Sequence, residues 1–212
     1  IQCLAEKSDH EQETWLYNDG GEIDAPVVTR KRALEGPPHG KRLYWKAIDA
    51  IWREARQRIG VWDIFLLVQD DIVLPKNFFD RAARLFKRLN RGTYRFGALN
   101  FFGDGPDPKR EARWTGAPVT RCRIPEVWSA KWVDLQCVAF HPRALEWMGA
   151  IQPVDQDRWI VDPTLSSGVG RQISRRLWRA GMGQYMVREP WVEHVADESK
   201  MNTWRNGEVY SS

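Results

Sequence analysis

The chain has 212 residues, enough for one α/β domain with a full core and short for two. No apolar stretch approaches the roughly 20 residues that span a bilayer, and no signal-peptide pattern is visible, so a cytoplasmic protein is expected. A net charge of +4 and a pI near 9.1 suit an anionic partner, a nucleotide or a nucleic acid, although Lys/Arg runs are more often solvated helix faces.

Ile1–Ala5 reads as a strand, followed by the polar stretch Glu6–Glu13. Trp15-Leu16-Tyr17 runs into Asn18-Asp19-Gly20-Gly21, a turn signal, and Val27-Val28-Thr29 reads as another strand. Gly36-Pro37-Pro38-His39-Gly40 reads as a loop, because its prolines and glycines oppose regular structure. From Leu43 to Arg58 the apolar residues Leu43, Tyr44, Ala47, Ile48, Ile51, Trp52 and Ala55 recur at helical spacing. Ile64–Val68 is an unbroken apolar run, the pattern of a strand buried on both faces of a parallel sheet.

Pro75 is expected to open a helix over about Lys76–Leu89, with Phe78, Phe79, Ala82, Leu85 and Phe86 on its buried side. Gly97–Phe102 predicts a strand, Gly103–Pro108 an irregular loop, Trp132–Phe140 a strand and Pro142–Gly149 a short helix. A helix near Gly170–Ala180 closes at Gly181, and Tyr185–Val187 is a last short strand. From Trp191 onward the chain reads as a polar, partly mobile tail, 203–212 above all. Strands alternating with helices imply one α/β three-layer domain over 1–212.

The most informative residues follow the apolar strand: Gln69, Asp70 and Asp71. Ligands of open α/β sheets bind at the carboxyl ends of strands, and adjacent carboxylates there call for a positive charge, most simply a divalent metal. The competing reading is a turn cap, a common use of Asp just past a strand. Cys3, Cys122 and Cys137 are odd in number and widely spaced, which suits a reducing compartment and makes no zinc site. Most of the twelve tryptophans are expected to pack, with some available to stack on a sugar or a base. Ser166-Ser167-Gly168-Val169-Gly170-Arg171 lacks both the P-loop ending and the GxGxxG pattern.

The helix carrying Tyr44-Trp45, the strand ending Gln69-Asp70-Asp71-Ile72, a later Asp before a helix and the late Trp191–Ser199 segment together resemble the GT-A glycosyltransferases. The resemblance covers roughly residues 1–202 and implies a Rossmann-like fold with a mixed, mostly parallel central sheet. It also implies a UDP-sugar donor whose diphosphate is held by Mn²⁺ or Mg²⁺ on a DxD-type motif. Two departures stand out. An amide, Gln69, occupies the first acidic position if Asp71 is the last, and the family's first strand and helix are not matched, since Ile1 falls at its second strand.

On this resemblance Asp71 is the direct metal ligand, Asp70 assists through a water or contacts the ribose, and His194 completes the metal site. A hard cation held there stabilises charge on the leaving diphosphate. For His194 the alternative is an ordinary surface or core histidine. Asp162 corresponds to the general base of inverting transfer, taking the acceptor proton; the competing reading is a helix N-cap, since Pro163 follows it. Asp155 and Asp157 are the runners-up. Lys41 and Arg42 are candidates for the diphosphate or the acceptor, with surface solvation as the alternative, and Ser199 and Lys200, near His194, are better placed for the diphosphate. Trp132, Asp134 and Gln136 are candidates for the sugar, with core packing as the alternative for Trp132.

The acceptor is expected to be anionic. Compact transferases of similar kind are encoded by bacteriophages and glycosylate hydroxymethylpyrimidines in DNA, which is the preferred reading; a bacterial surface glycan or lipid-linked sugar is the alternative. From other classes, Asp70, Asp71 and Asp162 would also suit a two-metal nuclease or nucleotidyltransferase, and the charge with the tryptophans a non-catalytic nucleic-acid-binding module. Nothing in the sequence specifies an oligomeric state.

Overall fold

The computed structural model describes residues 15–19, 28–32, 36–60, 64–69, 72–92, 95–102, 119–131, 135–153 and 168–194, those before residue 44 by their backbone alone. β1 (Trp15–Asp19) and β2 (Val28–Arg32) form a parallel pair. Asn18 and Asp19, expected in a turn, continue β1 because they pair with Lys31 and Arg32; ladder bonds outweigh the local turn preference. α1 runs over Gly36–Arg58 and takes in the segment expected to be a loop. Pro37 and Pro38 fall in its first turn, where the missing N–H groups would be unpartnered anyway.

β3 (Phe65–Val68) and the two-residue β4 (Ile72–Val73) follow, then α2 (Phe78–Gly92) and β5 (Phe96–Asn100). α2 begins later than Lys76 because Asn77 adopts a left-handed φ of 58°, a conformation Asn tolerates, and the Phe78 N–H closes a turn onto Pro75 O. The remaining elements are β6 (Thr120–Arg121), β7 (Val127–Ser129), β8 (Cys137–Phe140), α3 (Pro142–Met148), α4 (Val169–Arg179), β9 (Gly183–Val187) and β10 (Glu193–His194). Trp191–His194 is therefore ordered structure and not tail, with Val192 buried. α4 ends as expected: Gly181, at φ 68°, donates to Trp178 O and Met182 N to Leu177 O, the paired bonds of a glycine-closed helix terminus.

The main sheet has six strands in the order β3-β8-β5-β9-β7-β6. It is mixed, but only β5 and β9 are parallel neighbours; the other four pairs are antiparallel, so the expected mostly parallel sheet is corrected. In β3 Phe65 and Leu67 are buried on one face while Leu66 and Val68 are half-buried on the other, so its apolar run did not require a parallel sheet. Successive strand residues enter different cores. Phe65, Leu67, Val138 and Phe140 join α1, α3 and α4 in one apolar cluster. Cys137, Ala139, Leu99 and Tyr185 join α2 in the other. Gly97 lets β5 approach β9, since a Cβ there would lie 2.9 Å from Met182 Cβ and 3.1 Å from Gly183 O.

Candidate active site

β3 and β5 both run antiparallel to β8, and β5 runs parallel to β9, so the carboxyl ends of β3, β5 and β9 share one edge. The backbone here is tied down residue by residue. Gln69 N–H donates to Gln136 O at 2.9 Å, joining the end of β3 to the approach of β8. Gln69 Nε2 donates to the Tyr44 hydroxyl of α1 at 2.8 Å. Gln69 thus ties the end of β3 to α1 through its side chain.

At the end of β5, buried Asn100 accepts the Phe102 N–H at 2.7 Å through its side chain, closing a local turn. The chain after β9 returns over this turn, and Trp191 N–H donates to Phe101 O at 3.0 Å. Arg81 of α2 lies 4.3 Å above the Trp191 ring, a cation–π contact that fixes the entry into β10. β10 then pairs antiparallel with β4, with Glu193 opposite Val73 and His194 opposite Ile72. His194 is exposed, and its ring lies 6.2 Å from that of Phe102.

Ile72 is the residue directly after Asp71. The register therefore sets the late histidine across from the neighbour of the proposed metal ligand, although 122 positions separate His194 from Ile72 in sequence. Imidazole with carboxylate is a suitable donor set for Mn²⁺ or Mg²⁺, with carboxylate the harder and preferred partner. Gln136 reaches the same edge, half-buried, through its bond to Gln69. Lys41 lies within α1, away from the loop end where the sequence put it, and its side chain is outside the described residues. Asp70, Asp71, Trp132, Asp134, Asp155, Asp157, Asp162, Ser199 and Lys200 also lie outside them. Among the described residues, no three His, Cys, Asp or Glu side chains gather as a metal cluster.

Other conspicuous groups have structural roles. A groove of about 620 Å³ is lined by α1 residues, among them Trp45, Asp49 and Arg53, and by neither Gln69, Gln136 nor His194. Asp49 in that groove is buried, pairs with Arg53 and accepts the Ile151 N–H at 2.7 Å. His141 caps α3, its Nδ1 accepting from Arg143 N–H at 3.1 Å; burial, then the positive charge of Arg143, pushes its pKa down. Burial drives the pKa of the Cys137 thiol far up, which disfavours the thiolate.

Sequence reading missed the β4–β10 pairing and the Arg81–Trp191 contact. Two-residue strands carry no readable period, and a cation over a ring 110 positions away leaves no local trace. No protein-family model matches the chain, and no curated protein matches it significantly.

Proposed function

We propose that this chain is a metal-dependent, inverting glycosyltransferase of the GT-A type, moving a sugar from a UDP-sugar to a hydroxyl acceptor. The observation that carries the reading is the pairing of His194 with Ile72, which brings an imidazole to β4, the strand that Asp71 immediately precedes in sequence. The sheet edge supports it as well, since β3, β5 and β9 end together where α/β sheets take their ligands. Two apolar clusters, one with α1, α3 and α4 and one with α2, are what a three-layer Rossmann-like domain would bury.

In this reading Asp71 and His194 hold the cation, Asp70 assists, and Ser199, Lys200 and Lys41 contact the diphosphate. Bound there, Mn²⁺ or Mg²⁺ would neutralise charge on the departing nucleoside diphosphate. Trp132 and Gln136 border the sugar. Asp162 accepts the proton of the acceptor hydroxyl as its oxygen bonds to the anomeric carbon and the bond from that carbon to the diphosphate oxygen breaks. The preferred acceptor is a 5-hydroxymethylpyrimidine in DNA, and the net charge of +4 favours such a polyanion.

The test is thermal stability against a panel of nucleotide-sugars with and without Mn²⁺. A bound ligand raises the melting temperature, and the expected rise for UDP-sugars requires the metal and disappears in Asp71→Asn and His194→Ala. Asp162→Asn is expected to keep the rise and lose transfer to hydroxymethylcytosine DNA, read by nucleoside mass analysis. A flat response to the whole panel defeats the proposal. A response without DNA transfer redirects the acceptor to a glycan or lipid-linked sugar.

A further inference from the structure

We infer that the exposed face of α4 is a binding surface for single-stranded nucleic acid. Arg171, Arg175, Trp178 and Arg179 are all exposed and follow one another at i, i+4, i+7 and i+8, so they form one stripe about 12 Å long. α4 itself contains no Asp or Glu. Lys131, from the segment after β7, adds a fourth cation, its Nζ 3.4 Å from the Trp178 ring centroid. With Lys131 over it, the Trp178 side chain still exposes 61% of its surface, one of few large apolar side chains in the described residues to do so. A flat ring set among guanidinium groups is the pairing that takes a stacked base and its flanking phosphates.

The neighbouring chemistry narrows the occupant. A membrane-surface helix needs a free apolar face, but that of α4, Val169, Ile173 and Leu177, is spent in the core. α2 also carries exposed cations, Arg84 and Lys87 among them, without an exposed aromatic ring. Charge alone would make the two helices equivalent; Trp178 distinguishes α4. The surface goes beyond the glycosyltransferase reading and stands or falls without it, because it is measured by binding and not by transfer.

The experiment is fluorescence anisotropy of a labelled single-stranded oligonucleotide over a range of salt concentrations, without metal or sugar donor. Trp178→Ala is expected to weaken binding about tenfold or more, the loss of one stacked base. Arg175→Gln with Arg179→Gln should reduce the steepness of log affinity against log salt by about 1.4, two single-strand phosphate contacts. Arg84→Gln with Lys87→Gln on α2 should leave both the stacking loss and most of the affinity in place. Absence of binding by the wild type, an unchanged affinity in Trp178→Ala, or equal losses in the α2 pair would each overturn the inference. So would tighter capture by phosphatidylserine vesicles accompanied by a blue shift of Trp178 fluorescence.

Discussion

The two cores of the main sheet are held together differently. On the side of α1, α3 and α4, buried polar groups tie segments far apart in sequence. Buried Asp49 of α1 accepts the Ile151 N–H, 102 positions away, and half-buried Arg176 of α4 donates to Met148 O at the end of α3 and to Ala150 O just past it. Ser174 and Gln184 exchange two buried bonds between α4 and β9. On the α2 side buried His141, which stacks on Phe86, acts locally, its side chain accepting from Arg143 N–H two residues on. There the long-range cohesion comes from rings, Phe78 against Phe101 at 5.0 Å and Phe86 against Phe96 at 4.6 Å. Polar ties fix register, and apolar rings fix mainly proximity. The α2 side also bears the Trp191–His194 return, so the candidate site rests on the core that is packed by rings.

Ring removal should affect both sides alike. Phe140 is fully buried and lies 4.7 Å from Trp52, edge to face, and Phe78 is equally deep on the opposite side. Phe140→Ala and Phe78→Ala are each expected to cost about 3–5 kcal/mol in urea unfolding. A large difference between them would break the symmetry of the apolar contribution. Asp49→Ala should separate a long tie from a local one, because it leaves the Ile151 N–H buried without its acceptor and costs about 2–3 kcal/mol. Asn100→Ala, which opens the turn onto the Phe102 N–H at the end of β5, should cost about 1 kcal/mol. Equal losses would mean that sequence separation is the wrong distinction.

Gly97→Ala probes the sheet that both sides share. The added methyl would meet Met182 Cβ at 2.9 Å and backbone oxygen at 3.1 Å, neither a flexible side-chain end. Overpacking of this kind costs about 1–3 kcal/mol. A neutral outcome would show that β5 and β9 can part without strain.

The same contrast explains what the sequence made readable. α2 was legible because Phe78, Ala82, Leu85, Phe86 and Leu89 repeat at helical spacing and are all buried. The close of α4 at Gly181 was legible because a left-handed φ after a helix favours glycine. Strand direction was not, because the apolar run of β3 packs beside an antiparallel β8 as it would beside a parallel strand. Asp49 looked like any polar position of an amphipathic helix, since its partner is a backbone N–H far along the chain. His194 was chosen through a family resemblance; its position opposite Ile72 is a long-range fact that no local pattern encodes.

His141 offers a smaller, pH-dependent test on the α2 side. Burial lowers its pKa in the folded state, and its Nδ1 must stay unprotonated to accept from Arg143. The folded state therefore favours the neutral ring. Its contribution is present above the ordinary histidine value of 6.5 and is lost as pH falls below it toward the depressed native value. Urea midpoints should decline below pH 6.5 in the wild type. The decline should be shallower in His141→Asn, which keeps a capping acceptor without the titration. An unchanged slope would remove His141 from the account.

The smallest effect should come from Arg88 and Glu126, a contact that spans 38 positions on the α2 side and so looks like the polar ties of the other. Its N···O separation is 2.5 Å, and the bond to Arg88 holds the Glu126 carboxyl below the usual range. Any stabilisation is therefore present above the ordinary Glu value and lost as pH falls through the lowered one. Both side chains are half-exposed, however, so water and salt screen the pair, and about 0.5 kcal/mol or less should survive. Arg88→Gln is expected to shift the urea midpoint barely at neutral pH and less still in high salt. A loss comparable to that of Asp49→Ala would overturn the contrast, because burial, and not sequence separation alone, is what makes a polar tie hold a core together.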